Sequence, residues 1–113
     1  MLYMIASFDF NAEAYGSHEA AERYYLEHHV PLARRLPGLR RYVIGRPVAV
    51  GPTDARRQRA AILVFDDVAA LRQAYRSEVG RALREDEKRL IGPADVTYFT
   101  GEDVALPTAG ATG

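Results

Sequence analysis

Tyr24-Tyr25-Leu26-Glu27-His28-His29-Val30-Pro31-Leu32-Ala33-Arg34-Arg35-Leu36-Pro37-Gly38-Leu39-Arg40-Arg41-Tyr42 is the stretch on which the rest of the chain is read. Ala21, Tyr25, His29, Leu32 and Leu36 recur at helical spacing, which predicts one helix from about Ser17 to about Leu36. Ser17 is a good N-cap, and Glu19 and Glu22 suit the positive first turn. Pro31 falls inside this helix, removes a backbone donor and predicts a kink that frees the carbonyl of Glu27. Pro37-Gly38 then stops the helix, and a strand over 39–50 returns with Tyr42. A histidine on an apolar helix face, beside tyrosines and opposite a further tyrosine, suits a proton-handling pocket.

Working outward, Leu2 to Phe8 is apolar and β-prone, and 11–16 is a connector. A polar, Arg-rich loop over 51–59 leads into the apolar run 60–65, which predicts a central strand. Asp66 or Asp67 caps a second helix whose face is Val68, Leu71, Tyr75, Val79, Ala82 and Leu83. Gly92-Pro93 is expected to end that unit, with a fourth strand over 94–100. The order β-α-β-β-α-β is the α+β, ferredoxin-like arrangement: a four-stranded antiparallel sheet with two helices on one face. Apolar residues on both faces of the strands predict that a second copy covers the bare face, forming a homodimer. One domain is expected over 1–104, and the composition of 105–113 is that of a mobile tail.

The totals exclude several classes. Fifteen basic and 15 acidic residues cancel in a chain of 113, so no net field draws nucleic acid or an anionic membrane. Cysteine is absent, which excludes disulfide scaffolds, zinc–thiolate sites and thiol nucleophiles. No apolar run approaches the roughly 20 residues that span a bilayer. The first ten residues lack a basic n-region and meet Asp9 early, so a cytoplasmic protein is the expectation. Without G-x-G-x-x-G, G-x-x-x-x-G-K or G-x-S-x-G, neither a nucleotide cofactor nor an acyl-enzyme serine has support, and no cofactor is expected.

The segment 17–43 resembles the EthD family of the dimeric α+β-barrel superfamily. The resemblance rests on His29-Val30-Pro31-Leu32 as H-x-P-L, on the preceding Tyr24-Tyr25, on Leu36-Pro37-Gly38-Leu39, and on Tyr42. At low resolution the element order extends it over residues 1 to about 104. Ala21 departs from the larger apolar residues usual in such helices, which suggests a locally roomier pocket or packing. The resemblance implies a cofactor-free protein holding a small, often aromatic, ligand between sheet and helices. Relatives include proteins tied to ether degradation, lactone isomerases, and polyketide cyclases or decarboxylases. Such proteins are often labelled oxidoreductases, and nothing in these residues supports redox chemistry.

His29 is the leading catalytic candidate, since a neutral imidazole accepts and returns a proton at cellular pH. The alternative is a structural histidine bonded to a carbonyl released at Pro31. Tyr42 is the second catalytic candidate, as a donor to a developing oxyanion, or else a cross-strand contact. Tyr25, Leu32 and Tyr98 are the substrate-binding candidates; Tyr24 and Tyr75 read either as pocket or as core. His28 points about 100° away from His29 and reads as a rim residue. His18 lies about 16 Å along the axis, so no metal site is expected. Asp9 either orients a histidine or starts the turn at Asn11. The clusters Arg34-Arg35, Arg40-Arg41 and Arg56-Arg57-Gln58-Arg59 read as solvated faces or salt bridges. The leading function is a small cofactor-independent enzyme using histidine acid/base chemistry on an aromatic, lactone or polyketide-like molecule. The alternative is a non-catalytic ligand-binding or accessory protein serving an oxygenase.

Overall fold

β1 (Leu2–Phe10) is the organising strand, because it pairs antiparallel on both sides, with β3 (Arg59–Phe65) and with β4 (Ile91–Thr100). β2 (Arg41–Gly45) adds to β3, giving a four-stranded sheet in the order β2-β3-β1-β4. This is the computed structural model of the chain, and it describes residues 1–54 and 57–108. Arg56 of the third Arg cluster and residues 109–113 of the expected tail lie outside the described residues.

Strand alternation sends Leu2, Met4, Ala6, Phe8 and Phe10 to one face, in register with Phe65, Leu63 and Ala61. That face carries the helices and the core. Its fully buried members include Tyr25, Phe65, Leu83 and Leu90, each contributing about 1.5–3 kcal/mol by burial. Tyr42, Leu63, Met4 and Tyr98 form one row across this face. The opposite face carries Tyr3, Ile5, Val43 and Phe99, with none of the described helices over it.

Four expected boundaries are corrected. The helix from Ser17 to Leu36 is three consecutive segments: α1 (His18–Tyr24), a π-helical turn (Tyr25–His29) and α2 (Val30–Ala33). Ser17 does cap α1, accepting from the Ala20 amide at 3.0 Å. The strand expected over 39–50 is only 41–45, because Gly45 pairs with Ala60 and β3 begins at Arg59, so 47–50 have no β3 residue to continue the ladder with. The second helix, capped by Asp67 through the Ala70 amide at 2.8 Å, breaks into α3 (Val68–Arg76) and α4 (Glu78–Leu90). Ser77 makes the break: it is extended, and its hydroxyl caps α4 through the Gly80 amide at 3.1 Å. A Cβ at Gly80 would collide with the end of α3, so only glycine lets the two helices meet this closely. Finally, Gly92-Pro93 does not interrupt the chain; α4 passes straight into β4 at Ile91. β4 is an edge strand, where a proline costs no ladder bond. Among the described residues no helix is long and apolar enough to cross a membrane.

Candidate functional site

Pro31 explains the π-turn. It has no amide to give, and its ring would press on the carbonyl four residues back if the helix stayed in α register. Instead the turn before it widens, and the Val30 amide bonds the Tyr25 carbonyl five residues back. In so wide a turn, residues four apart nearly eclipse. Tyr25 stacks on His29 at 5.5 Å and 22°, and Tyr24 stacks on His28 at 4.9 Å and 29°. The proline thus lines up two aromatic pairs, one facing in and one facing out.

The inner pair meets α4. His29 is only 8% exposed, and its Nδ1 lies 2.7 Å from Asp86 Oδ2. The other oxygen of Asp86 accepts a short bond from the Tyr24 hydroxyl. That bond pushes the Tyr24 phenol up to about 12 and keeps it a donor. Burial lowers the His29 pKa and Asp86 only partly restores it, so the imidazole is neutral at pH 7. With Asp86 as acceptor at Nδ1, the ring proton sits on that nitrogen, which leaves Nε2 as the basic one.

His29 lines a cavity of about 90 Å³ between the sheet and the helices. Its polar members are Tyr25, Tyr42, Tyr75 and Glu87, and the rest of the wall is aliphatic apart from Phe8. Desolvation raises the pKa of each of the three phenols, so all stay protonated as potential donors. The Tyr25 hydroxyl is buried with no hydrogen-bond partner at proper geometry, while the Tyr42 phenol is close enough to influence its ionisation. Behind the Tyr25 ring the Arg59 guanidinium sits 5.5 Å from the centroid, tied to Glu22 at 2.8 Å. Val96, on the helix-facing side of β4, is 45% exposed, which places the mouth of the cavity over that edge strand.

Residues 16–94 match the EthD domain family. The chain belongs to the EthD family. An EthD-family protein of Bacillus halodurans superposes with a TM-score of 0.74 at 26% identity, covering 92% of this chain and 99% of that one. An uncharacterised 11.0 kDa protein from the thcB–thcC intergenic region of Rhodococcus erythropolis is 26% identical over 78% of this chain and 85% of its own. SnoaB, a cofactor-independent oxygenase from Streptomyces nogalater, shares the fold, with a TM-score of 0.63 at 16% identity over 91% of this chain and 94% of that one.

This EthD domain brings three of the expected site residues, His29, Tyr25 and Tyr42, to one cavity. Two are not brought there. Leu32 lines an outer groove with Tyr24 and His28, because the π-turn shifts everything after it around the axis. Tyr98 is 54% exposed at the mouth, near Tyr75. Ala21 is fully buried among Phe8, Phe10, Tyr25 and Leu90, so aromatic rings, not empty space, take up its missing volume. Asp9 accepts from Arg57 at 2.9 Å and from the Gln58 amide at 3.0 Å, and it orients no histidine. Arg40 pairs with Asp66 at 2.9 Å. Among the described residues no three His, Asp or Glu side chains are placed to hold a metal ion. Sequence reasoning missed Asp86 and Glu87. Their only signal was the run of three consecutive acidic residues, Glu85-Asp86-Glu87, in a helix whose other face is apolar, and the break at Ser77 hid which way each of them turns.

Proposed function

We propose that the cavity is a proton-transfer site for a small molecule, with His29 as base, Asp86 holding it, and Tyr42 and Tyr25 facing the ligand's oxygen. The observation that carries this reading is the 2.7 Å bond between His29 Nδ1 and Asp86, made by a neutral, buried imidazole that lines a cavity. His29 Nε2 takes a proton from a carbon or oxygen acid, the oxyanion formed accepts from the phenols, and the imidazolium returns the proton to another atom. No electron leaves the substrate, so isomerisation, cyclisation or decarboxylation fits and no cofactor is needed. SnoaB, of the same fold, is a cofactor-independent oxygenase, and that precedent supports chemistry done by side chains alone.

Thermal unfolding of wild type, His29→Gln and Tyr42→Phe with small phenols, lactones and quinones tests the reading. A ligand at 100 times its Kd adds about 2.7 kcal/mol to the native state. A compound that stabilises wild type is then assayed for turnover, and the reading expects His29→Gln to abolish it. Turnover unaffected by His29→Gln would sink it. The reading extends to a homodimer: Ile5, Val43 and Phe99 on the uncovered sheet face are 37%, 37% and 45% exposed. Sedimentation equilibrium of wild type and Ile5→Lys decides that. Residues 1–104 acting as one cytoplasmic domain, with 105–113 appended, completes the proposal; limited proteolysis and cell fractionation check it.

A further inference from the structure

Glu87 is the one carboxyl group that lines the cavity, and its side chain makes no hydrogen bond or ion pair among the described residues. The groups that face it are Tyr42 from β2, Tyr75 from α3, and Tyr25 and His29 from the π-turn; β1, β3 and β4 offer only apolar side chains. On its own helix, Asp86 is engaged by His29, and Arg84 packs 4.7 Å over the Tyr75 ring outside the cavity. No Lys or Arg lines the wall, although the chain has 15 basic residues. An anion entering here meets a carboxyl and no cation on the wall, since Arg84 and Arg59 lie behind the Tyr75 and Tyr25 rings, at a cost that burial makes large. A neutral molecule with a hydroxyl hydrogen meets the acceptor it needs, and the unpartnered Tyr25 hydroxyl supplies a donor at the other end.

We propose that Glu87 selects the ligand: the cavity takes an uncharged, single-ring molecule that donates a hydroxyl hydrogen, and it turns carboxylates away. This rests on reading the cavity as a small-molecule site, and it adds the substrate class to that reading. The enclosed volume of about 90 Å³ is on the scale of a single ring, and anything larger would have to extend through the mouth over β4. Burial raises the Glu87 pKa against the pull of Arg84, in the direction of a group that exchanges a proton with a hydroxyl.

Three meta-substituted single-ring probes test this by calorimetry at pH 7: resorcinol, and two larger ones matched to each other in heavy-atom count, 3-hydroxybenzoate and 1,3-dimethoxybenzene, the last with no hydrogen to give. Wild type is expected to bind resorcinol at least about tenfold tighter than either of the others. Glu87→Gln should close most of the gap to 3-hydroxybenzoate. Glu87→Met, of similar shape without an acceptor, should instead erase the preference for resorcinol over the dimethoxy compound. The proposal is overturned if wild type prefers the benzoate, if Glu87→Gln leaves the ratio unchanged, or if none of the three binds. The proton-transfer reading stands or falls separately, on the His29→Gln turnover result.

Discussion

Asp86 Oδ2 meets His29 Nδ1 at 2.7 Å across 57 residues of sequence, so a helix late in the chain sets the tautomer of a histidine early in it. In Asp86→Asn the amide can present its NH2 to Nδ1, which moves the ring proton to Nε2, the nitrogen that must be bare to act as a base. Nitrogen-15 NMR of the imidazole should show that exchange. Any turnover found for wild type should fall about 100-fold or more, with a stability loss of about 1–3 kcal/mol for the disturbed buried bonds.

The pH dependence of stability follows from His29. Its pKa in the folded protein lies below its ordinary 6.5, so the unfolded chain binds the proton more readily. The favourable contribution is therefore full above 6.5 and is lost as pH falls from there toward the folded value. Urea unfolding at pH 5 to 8 should show the advantage of wild type over His29→Gln shrinking through that window. A constant difference would mean that the imidazole titrates alike in both states.

Glu87 has the opposite sign. Its pKa is raised above the ordinary 4.5, so the folded protein pays a penalty that is complete once pH passes the folded value and vanishes below 4.5. Glu87→Gln should melt higher than wild type at pH 7 and lose that margin as the solution is acidified toward pH 4. A variant that melts lower at pH 7 would show that the carboxylate is stabilised by its surroundings.

A buried hydroxyl left without a well-formed bond costs up to about 1–3 kcal/mol, and the Tyr25 hydroxyl, with only the nearby Tyr42 phenol off proper geometry, is close to that state. Tyr25→Phe should keep its ring stacking on His29 and be as stable as wild type or up to about 1 kcal/mol more stable. Ligand-induced stabilisation should weaken in the same variant. Tyr25→Ala, which also empties the ring's place beside Phe8 and Phe10, should lose about 3–5 kcal/mol.

Much of this architecture was legible in sequence because burial imposes periods: the strands at 2–8 and 60–65 and the caps at Ser17 and Asp67 follow from patterns that a sheet and its helices require. The pairing of His29 with α4 was not legible. It depends on a π-turn whose only advance sign is Pro31, and on the one-residue break at Ser77, where apolar spacing continues from Tyr75 to Val79 as though the helix were unbroken. Asp86 and Glu87 look alike in the sequence; only the direction α4 takes after Ser77 gives one a histidine and the other a cavity. The end of β2 at Gly45 was equally hidden, since pairing length belongs to the partner strand as much as to its own residues.

The π-turn at 25–29 holds one residue more than an α-helix would use there. Losing a single codon within it, at Leu26 for instance, would return the helix to regular winding while leaving the segments on either side close to their present phase. Tyr25 and His29 would then stand three residues apart, still on one face but offset rather than eclipsed. The extra residue therefore maintains the stacked pair rather than the scaffold, and a single in-frame deletion would part the two rings while leaving sheet, caps and core in place.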